Sequence, residues 1–393
     1  MAQLVQIVTT PVTADLFLRG QLAYMREAGF DVTVVSSGGA ALARTAEREG
    51  VRSVALPMLR RPAPVRDTLA LARLYRLLRK LRPDITHVST PKAGLLGGLA
   101  ARFAGVPARV YTLRGLRAEG ATGIGGRALL AFERTACRSA DRVICVSESL
   151  RRRALELGLA PEEKLTVLGS GSSNGVDAER FRRSPDLTAR AGELRSKLGL
   201  PEGAPVVGFV GRLVRDKGVV ELAQAMELLA AKTPEVRLVV VGAFEGYDEV
   251  PAAARARMED DPRIVFTGFL ADPAPAYALM DLLALPSYRE GFPNAVLEAA
   301  AMEIPTVTTD ATGCVDAVVD GVTGKIVPVG DSAALAEALG GYLTDDELRR
   351  RHGRAARERV VRDFTPEDIW KALLDEYVRL LAAKGLGLPG GAG

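Results

Sequence analysis

Short apolar runs alternate with amphipathic stretches twice over along these 393 residues, and that rhythm constrains the fold most. Gln3–Val8, Asp31–Val35, Ser53–Leu56, Ile85–Val88, Ala108–Tyr111, Arg142–Val146 and Leu165–Leu168 read as strands. The stretches between them read as helices. Ala14–Ala28 is stopped by Gly29, and Arg66–Leu81 ends before Pro83. The rhythm breaks into a polar, charged segment around Phe181–Leu200. It resumes with strands expected at Pro205–Val210, Arg237–Val241, Ile264–Phe266, Leu282–Leu285, Thr306–Thr308 and Lys325–Val327. Strands spaced by helices predict parallel sheets covered on both faces. The chain is therefore expected to form two doubly wound, Rossmann-like α/β domains, joined near 175–204. The assigned spans are 1–178 and 179–365. A C-terminal helix over about 366–385 is expected to pack back on the first domain, followed by a flexible glycine-rich tail, 386–393. Ligands of such sheets gather at the carboxyl ends of the strands.

Composition narrows the function classes. Hydrophobic residues make up 48% and charged residues 25%, which excludes a wholly disordered chain. No apolar run reaches the ~18–20 residues of a membrane-spanning helix. Met1–Val8 reads as a buried first strand rather than a signal sequence. Three cysteines and two histidines, His87 and His352, support neither a disulfide framework nor a zinc site. The net charge of +4 hides a split. Residues 1–190 carry 30 Lys+Arg against 17 Asp+Glu, whereas the rest of the chain is acidic. One half is thus expected to face something anionic: nucleic acid, a membrane or a phosphorylated substrate. The basic half has no nucleic-acid reading module.

Two segments carry the chemistry. Gly208–Gly218 leaves a strand, turns and enters a helix near Lys217–Gly218, where N–H groups and the helix dipole favour an anion. Arg212 and Lys217 add two cations that suit a diphosphate. Gly211 allows close backbone approach. The segment is neither GxGxxG nor a P-loop, and its other reading is two surface cations flanking a turn. In Pro286–Glu298, Glu290 lies in a loop and Glu298 about one turn into a helix starting near Asn294. A loop carboxylate can accept from sugar hydroxyls, and a helix carboxylate can reach a ribose. A glutamate favoured by the helix dipole is the other reading.

Glu290 and Glu298, separated by seven residues, resemble the EX7E signature of retaining glycosyltransferases of the GT-B fold. The flanks Arg289–Asn294 and Glu298–Met302, the pair Gly211-Arg212 with Asp216-Lys217-Gly218, and Asn174-Gly175-Val176-Asp177 with Phe181 resemble glycosyltransferase family 4. The resemblance spans nearly the whole chain. It implies two domains facing a central cleft. Glu290 would contact the donor sugar and steady charge at the anomeric carbon, and Glu298 would hold the ribose. Arg212 and Lys217 would neutralise the leaving diphosphate. Backbone groups of Gly291, Phe292, Asn294 and Ala295 would cradle sugar and phosphate, while Phe266–Phe269 would border the base. No metal or other cofactor is expected beyond the UDP-sugar itself, and no DxD-type cluster argues for one.

Thr86–Gly97 and Gly169–Asp177 resemble members that build bacterial surface glycans (capsule or O-antigen) on polyprenyl-diphosphate-linked acceptors. His87, Lys92, Arg114 and Asn174 are the candidates for the acceptor side. The implied reaction moves an N-acetylhexosamine or related aminosugar from UDP to such an acceptor at the inner face of the plasma membrane. Arg66–Arg82 would rest on anionic lipid as a basic amphipathic helix; alternatively its leucines are simply a core face. The chain departs from the family in three places. Arg114 stands where many relatives have histidine, Thr9–Thr13 replaces a Gly-Gly loop, and Glu303 replaces a common glycine. The rivals are a nucleotide-sugar epimerase or hydrolase on the same fold, and a non-catalytic sugar-nucleotide-binding or membrane scaffold protein.

Overall fold

The computed structural model describes residues 1–120, 123–246 and 248–387. The chain forms two compact units, Met1–Asn174 with Pro366–Gly393, and Gly175–Thr365. The second unit begins within the segment read as the junction.

Unit 1 holds seven parallel strands: β1 (Ala2–Ile7), β2 (Phe30–Ser36), β3 (Arg52–Ala55), β4 (Ile85–Ser89), β5 (Ala108–Leu113), β6 (Arg142–Cys145) and β7 (Leu165–Val167). Their order is β3-β2-β1-β4-β5-β6-β7. Unit 2 holds six: β8 (Val206–Val210), β9 (Arg237–Val241), β10 (Ile264–Gly268), β11 (Leu282–Leu285), β12 (Thr306–Thr309) and β13 (Gly324–Val327), in the order β10-β9-β8-β11-β12-β13. In each sheet the strand order reverses once, between β1 and β4 and between β8 and β11. A reversal leaves a crevice at the strand exits, because the following helices go to opposite faces.

The same device ties both reversals at the opposite edge. Asp84, just before β4, accepts from the Gln3 N–H of β1 at 2.7 Å. Asp281, just before β11, accepts from the Val206 N–H of β8 at 2.8 Å. Asp141 repeats it for β6 and β5 at 3.0 Å. Each carboxylate satisfies an entry N–H that the ladder leaves open.

The helix Pro366–Ala383 belongs to unit 1. Leu373, Tyr377, Leu380 and Leu381 are buried with Leu4, Phe30, Val32 and Ile85. Glu376 is enclosed there and meets Arg142 at 2.6 Å. Leu386 packs against this core, so the expected flexible tail does not begin at 386. Residues 388–393 lie outside the described residues.

Three local readings change. The helix expected over Ala14–Ala28 is two, Pro11–Phe17 and Gln21–Glu27. Gly20 between them has a φ of 75°, and the Trp370 ring fills the space its Cβ would need. The polar segment 181–200 contains a helix, Pro185–Lys197, with Ser184 as N-cap and Pro185 in its first turn. Finally, His87, read as an acceptor-side candidate, lies in the middle of β4 with its side chain buried.

Glu303 stands in a backbone conformation that suits the glycine common in relatives. Its φ is 60°, the left-handed region that favours glycine, and the backbone of Glu303 occupies the space a Cβ on Gly353 would need. The side chain of Glu303 is exposed, so it gains no burial in return. Glu303→Gly should stabilise unit 2 by about 1 kcal/mol, read as a higher denaturation midpoint. A lower midpoint would contradict the strain argument.

Candidate active site

The exits of β8 and β11 carry the two chemical segments of unit 2. After β8 the chain makes a 3-10 turn, Arg215–Lys217, before the helix Val219–Ala230. Gly218 has a φ of 68°, and its missing Cβ leaves room for the Pro286 carbonyl. On the other side, Gly313 has a φ of 78° and approaches the carbonyls of Glu290 and Gly291. Two glycines thus clamp the loop after β11. Hydrogen bonds fix it further. The Tyr288 N–H donates to the Asp216 carbonyl at 2.8 Å and the Glu290 N–H to the Thr312 carbonyl at 2.9 Å. Arg289 pairs with Asp216 at 2.8 Å, and Thr309 Oγ1 donates to the Ser287 carbonyl.

The clamped loop brings Glu290 against Lys217. Lys217 Nζ pairs with Glu290 Oε1, and Ser287 Oγ donates to the same oxygen at 3.0 Å. Both ion-pair partners are largely shielded, with side chains 14% and 13% exposed. The two are 73 residues apart, and nothing in their spacing reveals the contact. Arg212 pairs with Glu245 at 3.2 Å and remains partly open to solvent. Both expected phosphate-binding cations are therefore held by carboxylates.

Glu298 is the fifth residue of the helix Asn294–Ala301. Desolvation pushes its carboxyl up to about 7, against a lowering by the Tyr277 hydroxyl and the Arg180 charge. That hydroxyl donates to Glu298 Oε2 at 2.8 Å. The Tyr277 ring in turn packs edge-on against Phe181, with centroids 5.8 Å apart. Phe181 thus supports Glu298 through Tyr277, a link the linear sequence did not reveal. The open first turn of the helix carries Asn294 and Ala295, and Asn294 Oδ1 is buried without a partner. Phe292 is buried against Phe364. Phe269, just beyond β10, is 70% exposed and offers an apolar face. Gly211 needs no special freedom; Gly242, at φ 146°, is the glycine that makes room for the Gly211 carbonyl.

The acceptor-side candidates all lie in unit 1. His87 is enclosed: Tyr377 meets its Nδ1 and Thr112 its Nε2, at 2.5 and 2.6 Å. Burial and the Arg114 charge hold it down at about 3, so it is a neutral core histidine. Lys92 Nζ donates to Asp67 at 2.7 and 2.9 Å and to the Arg61 carbonyl. Asn174 bonds the Trp370 indole at 2.7 Å and the Arg19 carbonyl at 3.0 Å, which fixes the end of unit 1. Arg114 lies beyond β5, its guanidinium 5.1 Å from the Phe17 ring centroid. Among the described residues no group of three or more His, Cys, Asp or Glu could hold a metal.

The fold is GT-B. HepE from Anabaena, solved with UDP and glucose, superposes with a TM-score of 0.80 over 96% of this chain and 99% of that one, at 22% identity. Residues 17–180 match the family described as Glycosyltransferase Family 4, and residues 204–345 match Glycosyl transferases group 1. The capsular polysaccharide biosynthesis glycosyltransferase CapM of Staphylococcus aureus is 36% identical over 361 residues, covering 92% of this chain and 93% of CapM. The chain belongs to this glycosyltransferase family. A UDP-Gal:α-D-GlcNAc-diphosphoundecaprenol α-1,3-galactosyltransferase of Escherichia coli is 28% identical, covering 86% of each chain. A GDP-mannose-dependent α-mannosyltransferase of Mycobacterium tuberculosis is 33% identical, again covering 86% of each.

The raised Glu298 carboxyl sets a pH dependence. Between about 4.5 and 7 the folded protein keeps a proton that the unfolded chain releases. Stability should therefore fall as pH rises through that window, by at most on the order of 3 kcal/mol, and level off above it. Denaturant titrations across the window should show this slope in the wild type and a shallower one in Glu298→Gln. Equal slopes would contradict the assignment.

Proposed function

We propose that the chain is a metal-independent, retaining glycosyltransferase that moves a sugar, an N-acetylhexosamine or related aminosugar, from UDP to a polyprenyl-diphosphate-linked acceptor in bacterial surface-glycan synthesis. One observation carries the proposal: a lysine and a glutamate in contact across the β8–β11 reversal, the glutamate on a loop clamped by two glycines. Breaking the bond between anomeric carbon and phosphate oxygen leaves a diphosphate anion and a positively polarised sugar. Stabilising both is chiefly an electrostatic task. Lys217 would turn from Glu290 to the leaving diphosphate, assisted by Arg212 and by the first-turn N–H groups of Asn294 and Ala295. Glu290, released, would face the sugar. Glu298 would ionise and accept from ribose hydroxyls, and the exposed face of Phe269 would border the base. The galactosyltransferase named above supports both UDP and the lipid-linked acceptor, and CapM supports a capsular role. The mannosyltransferase makes GDP the competing nucleotide.

A peripheral position on the inner face of the plasma membrane completes the proposal. On the helix Pro64–Leu81, Ala70, Leu74 and Leu78 face the core. The opposite side exposes Val65, Leu69 and Tyr75 together with Arg66, Arg73, Arg76, Arg79 and Lys80. Each cation near anionic lipid contributes about 1 kcal/mol. Among the described residues no helix is long and apolar enough to cross a membrane.

With UDP- and GDP-sugar panels and bacterial lipid extract, the wild type should release UDP in step with glycolipid formation, undiminished by EDTA, with the anomeric configuration kept. UDP release without acceptor glycosylation would favour a hydrolase, and transfer only from GDP-sugars would overturn the UDP assignment. Glu290→Gln should lose about 10²-fold or more in turnover while folding normally; full activity would refute its role. In flotation assays the protein should bind vesicles containing phosphatidylglycerol at low salt and leave them at high salt. Absence of binding at low salt would end the membrane proposal.

A further inference from the structure

We infer that Arg114 forms, with the N-terminus of the helix Pro91–Ala104, a subsite for the phosphoryl group of a substrate at the β1–β4 reversal of unit 1. The inference deepens the proposed function and rests on it for the kind of ligand. Arg114 follows β5, which pairs with β4 so that Thr112 lies opposite Ser89. Its guanidinium sits over Phe17, on the helix entered from β1. The sheet order is β1-β4-β5. A side chain that leaves β5 and reaches the β1 helix must pass over the exit of β4, where Ser89 and Thr90 lead into the helix Pro91–Ala104.

Two of the three guanidinium nitrogens have no ligand. Nε and Nη1 are both shut off from solvent and lack a hydrogen-bond partner. No carboxylate pairs with Arg114 among the described residues. Buried donor groups of a cation without acceptor or counter-charge are costly, and such groups are normally paired. The helix beside it is open as well. Pro91 stands in its first turn, and the Thr90 side chain does not cap it. The Thr90 hydroxyl instead bonds the Thr9 hydroxyl at 2.6 Å, across the reversal. Thr90 has a φ of 83°, rare for a β-branched residue. The Ser89 hydroxyl is buried and unpartnered at the same exit. Lys92, in the first turn, is committed to Asp67 and does not compensate.

A planar fork of donors, hydroxyls and free helix N–H groups match the oxygens of a phosphoryl group. A histidine at position 114 could not offer that fork. The group could belong to the diphosphate of a lipid-linked acceptor or to the nucleotide donor, which experiment separates.

Calorimetry on the full chain with three probes tests this: inorganic pyrophosphate, farnesyl diphosphate in detergent, and UDP. Arg114→Gln should weaken farnesyl diphosphate by about tenfold or more and leave UDP unchanged. Arg114→Lys, which keeps the charge but loses the fork, should fall between. A tenfold loss on UDP instead would keep the subsite and assign it to the donor. The unliganded Arg114→Gln protein should unfold at no lower temperature than the wild type, because two buried, unpartnered donors of a cation are gone. Should it fold poorly, the comparison of Arg114→Lys with wild type on the same probes decides. Unchanged affinity of the variants for all three probes would overturn the inference. The binding arms need no turnover. Intact Arg114-dependent binding in a wild type that transfers no sugar would sink the proposed reaction and leave the subsite standing.

Discussion

The ion pair between Lys217 and Glu290 exists because a parallel sheet reverses its strand order between β8 and β11. The reversal sets two strand exits side by side and sends their helices apart. A lysine that follows one strand can then meet a glutamate that follows the other, 73 residues later. Gly218 and Gly313 make the meeting possible by admitting backbone carbonyls where any side chain would block them. Unit 1 repeats the arrangement at β1 and β4, where hydroxyls of Thr9 and Thr90 meet instead. The carboxylates Asp84 and Asp281 tie the opposite edge of each reversal. The two units share one solution to the placement of polar groups at a sheet edge, and differ in the charge they put there.

The charges of unit 2 are held in reserve. Lys217 is neutralised by Glu290, Arg212 by Glu245, and Glu298 is protonated up to about 7. In the proposed reaction an anion that drew Lys217 away would also release Glu290, so binding of one part of a substrate would arm the group meant for another. Unit 1 is built the other way. Arg114 stands charged, shielded and unpaired, with burial lowering it only to about 10.

The architecture was legible because parallel strands buried on both faces must be short, apolar and punctuated. All thirteen strand readings match strands among the described residues, from Gln3–Val8 to Lys325–Val327. Readings failed where contacts distant in sequence decide. Trp370, 350 residues away, splits the helix at Gly20. The helix Pro185–Lys197 was hidden by its many charges, although Ser184-Pro185-Asp186 is a helix start. His87 looked available because its partners Tyr377 and Thr112 are remote in the chain. The candidate site residues were chosen from spacing and resemblance. Their pairing was not legible, since Glu245 and Tyr277 reach Arg212 and Glu298 only through the fold.

The central claim is that Glu290 restrains Lys217 until a diphosphate takes its place. The most direct measurement is the UDP affinity of Glu290→Gln against the wild type, by calorimetry at one pH and ionic strength. The account predicts equal or tighter binding, because removing the negative charge frees Lys217 for the anion. Weaker binding of UDP to Glu290→Gln, with folding intact, would contradict it.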